Sequence, residues 1–286
     1  MGDEPFTAEE MNRLHEGPPP RMARGKPPRR LTIVPCVLAR PSTAVSIWWA
    51  RAVGNLEWPF NVIRSSPAIV QDDVGGKVAE GRNLLAARVL ARETDSVEVS
   101  HLLWIDDDVI PVSPLLLRAL HYQSTTHDKD IVAGVYFSKE QFPQPLVFPE
   151  RGRGTVPFEP NQCFEAWGVG MGLTLVRASL YRRMRDELKL PADSMGNPEW
   201  YRTPGRDTDL AVDAEGVMDC GGTEDLYFCE LAAKLGVRPV VDTSMHAFSF
   251  HYDLAERQGY PREQWEQYRK GGPIIWQTKG GPVEWR

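Results

Sequence analysis

The stretch "HLLWIDDDVIP", residues 101–111, sets an apolar run directly against three consecutive carboxylates, Asp106, Asp107 and Asp108. Such a run reads as a buried strand. Like charges crowded at its end are unfavourable unless water or a cation screens them. In an extended segment residues i and i+2 face the same way, so Asp106 and Asp108 are expected to point together out of the strand end while Asp107 turns aside. Carboxylates so placed suit a hard divalent cation that keeps open positions for phosphate oxygens. The carboxyl ends of strands are also where open α/β sheets bind ligands. The plainer alternative is an acidic turn leading into the next helix.

Outward from this stretch, strand and helix patterns alternate from Leu31 onward, as in an α/β domain. Strands are expected over 31–39, 60–66, 100–105, 130–137, 237–242 and 245–252. Helices are expected over 42–53, capped by Ser42 or Thr43, and over 75–93, where Val78, Leu84, Leu85, Val89 and Leu90 recur at helical spacing. Further helices fall over 113–123, with Ser113 as cap and Pro114 at its first position, over 178–188, and over 223–236, closing at Gly236. Residues 166–177 are glycine-rich and then strand-like. The Pro- and Gly-rich segments 138–162 and 198–209 read as irregular loops. There is no internal repeat, so one domain is expected over 31–252. An extended basic arm (1–30) precedes it, and an aromatic extension (253–286) carrying Trp265, Trp276 and Trp285 is expected to pack on it.

Composition narrows the classes. The chain has 286 residues and a net charge of -6, which argues against a protein whose main task is gripping nucleic acid phosphates. Residues 16–30 nevertheless gather five basic side chains among prolines, either as a solvated tail or as an arm that docks on a polyanion. The first thirty residues hold no apolar leader core, and no stretch reaches the roughly 18 apolar residues that span a bilayer. Four cysteines without a C-x-x-C pair suggest neither a zinc knuckle nor a disulfide framework, so a reducing, cytoplasmic setting is expected.

Three further groups could carry chemistry. In "CGGTEDLYFCELAAKLG" (220–236) two glycines allow a tight turn, Thr223 can cap the helix, and Glu224 and Asp225 fall in its first turn, where acids also stabilise the helix dipole. His246 and His251 sit in a late strand-like segment. His can complete a metal site begun by carboxylates, and mixed oxygen and imidazole ligation suits Mn²⁺. On opposite faces of a regular strand, the two would not bind one ion; His251 is preferred and His246 held in reserve. Arg82 and Asn83 follow Gly81 in the long helix, where a cation can reach a diphosphate or simply be salt-bridged. The chain has no P-loop, no dinucleotide fingerprint and no nucleophile elbow.

In order, "GRNLLA", the strand ending in "DDD", "GVGMGLTLVRASLYRRM", "GGTEDLYFCELAAKLGVRPVVD" and a late His resemble glycosyltransferases of the GT-A fold, family 2 type, over about residues 31–252. The resemblance implies a single Rossmann-like GT-A domain with a mixed, mostly parallel central sheet. It implies a nucleotide-diphosphate sugar as donor, a UDP-sugar first among them, and Mn²⁺ or Mg²⁺. Asp106 matches the first acid of the D-x-D motif, near the ribose or the metal, and Asp108 the second, a direct metal ligand. Arg82 matches the basic residue near the nucleotide. Asn83 and Asp107 fall beside these on the nucleotide side. His251 matches the late metal-binding histidine, although its distance from Asp242 departs from the family pattern and leaves His246 open. Asp225, with Glu224 beside it, matches the base that acts on the acceptor in inverting members. Two other readings remain: a nucleotidyltransferase, which lacks its usual phosphate loop here, and a non-catalytic sugar- or polyanion-binding module. The acceptor is not legible. A glycan, a small molecule and a modified base in DNA are all compatible, with Trp200, Tyr201 and the C-terminal tryptophans expected to be exposed for stacking.

Overall fold

The computed structural model describes residues 29–39, 47–71, 77–138, 145–151, 161–203, 223–253, 258–260, 274–278 and 281–285, and only the backbone of Gln71, Met245 and every residue from Phe250 onward. Most of the basic arm, Ser42, Thr43, much of the 138–162 loop, the diglycine at 221–222 and Trp265 lie outside the described residues, as do the side chains of Trp276 and Trp285.

In chain order the elements are β1 (Arg30–Ala39), α1 (Ile47–Gly54), β2 (Val62–Arg64), β3 (Ala68–Gln71), α2 (Val78–Leu90), β4 (Val97–Ile105), β5 (Val109–Pro111) and α3 (Leu116–Thr126). They continue with β6 (Ile131–Ala133), β7 (Val147–Phe148), β8 (Cys163–Glu165), β9 (Gly168–Val169), β10 (Leu173–Arg177), α4 (Ala178–Leu188), α5 (Glu224–Lys234) and β11 (Val240–Asp242). After a 3₁₀ turn at Met245–Ala247 come β12 (Ser249–Asp253), β13 (Gln258–Tyr260), β14 (Ile274–Thr278) and β15 (Gly281–Trp285), the last two paired antiparallel.

An eight-stranded sheet runs β2-β1-β4-β10-β6-β11-β8, with β3 also on β1. The pairings of β1 with β2, β3 and β4 and of β6 with β11 are parallel. β10 lies antiparallel between β4 and β6, and β8 is antiparallel to β11. The expected mixed, mostly parallel α/β sheet is what the chain forms. Alternation along the strands builds two cores. Val34, Cys36, Leu102, Trp104 and Val176 face α2, α4 and α5, while Ile33, Val37, Leu103, Ile105 and Leu175 face α1 and α3. Nothing polar interrupts Leu102 to Ile105, which are at most 1% exposed, so β4 is held from both sides and its carboxyl end is fixed. Among the described residues no helix is long and apolar enough to cross a membrane.

Several expected elements are shorter or interrupted. Residues 245–252 are not one strand: Met245–Ala247 form a 3₁₀ turn that holds His246, and the chain is extended from Phe248. The helix after Pro114 begins at Leu116, with Ser113 Oγ accepting from the Leu115 amide, a bond that serves the turn before the helix. Thr223 takes the N-cap place of α5 but makes no capping side-chain hydrogen bond. The loop residues Trp200 and Tyr201, expected at the surface, are only 2% and 1% exposed and close the core over α2 and α4.

Candidate active site

At the carboxyl end of β4 the chain does not stay extended. The Val109 amide donates to the Asp106 carbonyl at 3.1 Å, making Asp106 to Val109 a tight turn, and β5 then leaves to pair with β12. The segment is therefore not the regular extended strand that the alternation assumed, and all three aspartates line one cavity of about 310 Å³. Asp107 and Asp108 are largely buried there. The Asp106 backbone is fixed on two further sides, by its own amide donating to the Gly172 carbonyl (3.1 Å) and by Trp49 Nε1 donating to its carbonyl (2.8 Å).

Facing these acids is the start of α5. Glu224 and Asp225 line the same cavity, with Tyr136 between the two groups and Leu38, Ala39, Val78 and Leu146 as the apolar wall. The glycine-rich segment "GVGMG" (168–172) packs behind them. A Cβ on Gly170 would stand 2.2 Å from the Tyr136 hydroxyl, and one on Gly172 would stand 2.7 Å from Asp106 Oδ2, so both positions need glycine for close approach. Between them the Met171 amide donates to Asp225 Oδ2 at 3.0 Å, and the Gly172 amide donates to the Tyr136 hydroxyl at 2.9 Å. These glycines shape the floor of an acidic site and open no phosphate loop.

Arg82 sits in the middle. Its Nη2 lies 3.2 Å from Asp106 Oδ1, and its Nε lies 3.4 Å from Asp225 Oδ1 and 3.6 Å from Glu224 Oε1. The guanidinium rests over the Trp104 ring at 5.2 Å and near the Tyr201 ring at 6.0 Å. Burial alone would lower its pKa, but Asp225, Asp106 and Glu224 outweigh that and raise it well above the ordinary value. For Asp225 burial comes first and pushes the carboxyl up to about 7. Arg82 opposes the rise, Glu224 and Asp106 add to it, and the Met171 amide draws it back.

Asn83 takes a different place from its neighbour. Its amide nitrogen donates to the Tyr201 carbonyl (2.9 Å) and its amide oxygen accepts from the Tyr201 amide (2.8 Å), so both polar ends hold the 198–203 loop. Trp200 and Tyr201 join the same buried network: the Tyr201 and Tyr181 hydroxyls are 2.6 Å apart, Trp104 Nε1 donates to Tyr181, and Trp200 Nε1 donates to the Tyr181 carbonyl. They are therefore not available for stacking on a sugar or base.

The two histidines separate. His246 Nδ1 is 3.0 Å from Ser113 Oγ, in a different groove with Asp242 and Ser244. His251 pairs through its backbone with Val109, one residue beyond Asp108; its side chain is outside the described residues. Among the described residues no group of three or more His, Cys, Asp or Glu converges as a ready metal cage. Five carboxylates nonetheless share the cavity with one guanidinium, an all-oxygen donor set whose excess negative charge is of the kind a hard divalent cation balances. Tyr136 and Gly170 are the members that sequence reasoning missed; "GVGMG" was the signal for the glycine, and Tyr136 left none.

No family model matches the chain, and no curated protein matches it. Among solved structures, A197 from STIV is similar at 15% identity with a TM-score of 0.47, covering 80% of this chain and 92% of that one. S. aureus TarS 1-349 is similar at 13% identity with a TM-score of 0.40, covering 75% of this chain and 58% of that one. Neither likeness is close enough to bear on fold or function, which rest on the topology and the site.

Proposed function

We propose that the chain is a glycosyltransferase that moves a sugar from a nucleotide-diphosphate donor to an acceptor hydroxyl in the cavity between β4 and α5. The observation that supports this is the meeting, at the carboxyl end of the sheet, of Asp106 to Asp108 with the Glu224–Asp225 helix start around one cavity. A UDP-sugar is the first donor to test. A divalent cation, Mn²⁺ or Mg²⁺, would be held by Asp106 and Asp108, with His251 as the imidazole candidate on the neighbouring strand. When bound, such an ion supplies Lewis-acid neutralisation of the departing diphosphate.

Asp225 is the base in this reading. It takes the proton of the acceptor hydroxyl as that oxygen bonds the anomeric carbon and the bond from this carbon to the diphosphate oxygen breaks, leaving an inverted glycoside and a nucleoside diphosphate. A carboxyl raised to about 7 by burial is matched to proton abstraction near neutral pH, a contribution of roughly 10²- to 10⁴-fold. Glu224 beside it keeps that pKa high. The acceptor class, whether glycan, small molecule or modified base in DNA, is left to assay.

The test is turnover. Incubating the protein with UDP-, GDP-, CDP- and TDP-sugars and Mn²⁺ should release one nucleoside diphosphate, and Asp225→Asn should stop release while nucleotide still binds. Release that is unchanged in Asp225→Asn would remove the base from the reading.

A further inference from the structure

We infer that Arg82 is a positioning residue: an internal counter-cation that holds Asp106 on one side of the cavity and Glu224–Asp225 on the other in their working places. The residue is 3% exposed, although an arginine on an amphipathic helix ordinarily reaches water. It is enclosed by the faces of Trp104 and Tyr201, and Tyr201 is itself pinned by both ends of the Asn83 amide, the next residue along α2. Three carboxylates from two separate elements lie 3.2 to 3.6 Å from its nitrogens. Only the contact to Asp106 is a hydrogen bond. Arg82 Nε and Nη1 and Asp225 Oδ1 make none, so towards α5 the guanidinium acts as a charge and not as a geometric clamp. Nothing else in the described cavity lining is cationic, and without Arg82 the acids at the end of β4 and the start of α5 would repel across a low-dielectric gap. The "RN" pair thus works as a unit: Asn83 fixes the aromatic lid, and the lid fixes the cation.

That the acids so held serve sugar transfer rests on the proposed function; that Arg82 holds them does not, and the test needs no nucleotide. It is a double-mutant cycle on denaturant midpoints at pH 8.5 in EDTA. Asp225→Asn is measured in the wild type, in Arg82→Met and in the charge-keeping Arg82→Lys, with Asp130→Asn as a distant control that pairs with Arg177 and Arg183. Asp225→Asn should shift the midpoint further towards stability in Arg82→Met than in the wild type, because it removes a charge that has lost its counter-ion. Arg82→Lys should restore the wild-type shift, and Asp130→Asn should shift all backgrounds alike. Equal Asp225→Asn shifts in all three backgrounds would overturn the inference and leave Arg82 as packing. If Arg82→Met fails to fold, the comparison of Arg82→Lys with Arg82→Gln decides in the same way. A positive cycle in a protein that binds no nucleotide would sink the transferase reading and leave this inference standing.

Discussion

Replacing Asp225 by Asn should stabilise the protein at high pH and leave it unchanged at low pH. The folded-state pKa of Asp225 is raised to about 7 against an ordinary 3.8, so the folded protein binds a proton that the unfolded chain has released over that interval. Stability from this group is fully present below about pH 4 and is lost as pH rises through about 7. Three units at roughly 1.4 kcal/mol each set a ceiling of about 4 kcal/mol. Relaxation and water around a cavity-lining carboxylate bring that to about 2 kcal/mol. Asn stays neutral and can keep an oxygen for the Met171 amide, so the variant escapes this loss. For a domain of this size the gain is roughly 4–8 °C in melting temperature at pH 8.5, falling to about zero at pH 4. Melts of the two proteins from pH 4 to 8.5 in EDTA read it directly. A variant that is less stable than wild type at pH 8.5, or an offset that does not vary with pH, would refute the burial of an ionisable Asp225 between β4 and α5.

Other substitutions test neighbouring links. Asn83→Ala orphans the buried Tyr201 amide and carbonyl and should cost about 2–4 kcal/mol in denaturant unfolding; a loss under 0.5 kcal/mol would mean the loop is held elsewhere. Gly170→Ala places a Cβ 2.2 Å from the Tyr136 hydroxyl and should cost roughly 1–3 kcal/mol while distorting the cavity, whereas a neutral result in the same melt would contradict the close packing. Asp108→Ala should abolish any Mn²⁺-dependent component of nucleotide affinity measured by calorimetry. Retained metal dependence would move the ligand role to another carboxylate.

The sheet was legible because β1 and β4 are long and buried on both faces, which leaves an unmistakable apolar run; α2 was less so, because the face it buries includes Gly81, Arg82 and Asn83. The acids at 106–108 were legible for the same reason, being conspicuous where a buried run stops, while Glu224 and Asp225 stood out behind the diglycine of "CGGTED". Strands of two or three residues, such as β5, β7 and β9, are too short to show a period; β5 forms on the longer β12, and β7 and β9 pair with each other. The turn at Asp106–Val109 was one of two readings of "DDD", and the contacts that fix it, from Trp49 and Gly172, are distant in sequence. Arg82 read either as reaching a diphosphate or as salt-bridged, and only tertiary packing shows the three acids and two rings around it. Trp200 and Tyr201 lie in a Pro-rich segment that resembles surface loop, and only their contacts with Asn83 and Tyr181 explain their burial. His246 falls in a 3₁₀ turn where a strand was expected, since a three-residue turn leaves no period in the sequence.

The most direct test of the central claim is thermal stabilisation by UDP, GDP, CDP and TDP, each with Mn²⁺ and with EDTA. One nucleotide at 100 times its dissociation constant should add about 2.7 kcal/mol, or several degrees, with Mn²⁺ and lose that gain in EDTA. No stabilisation by any of the four, with or without the metal, would contradict a nucleotide-sugar site between β4 and α5.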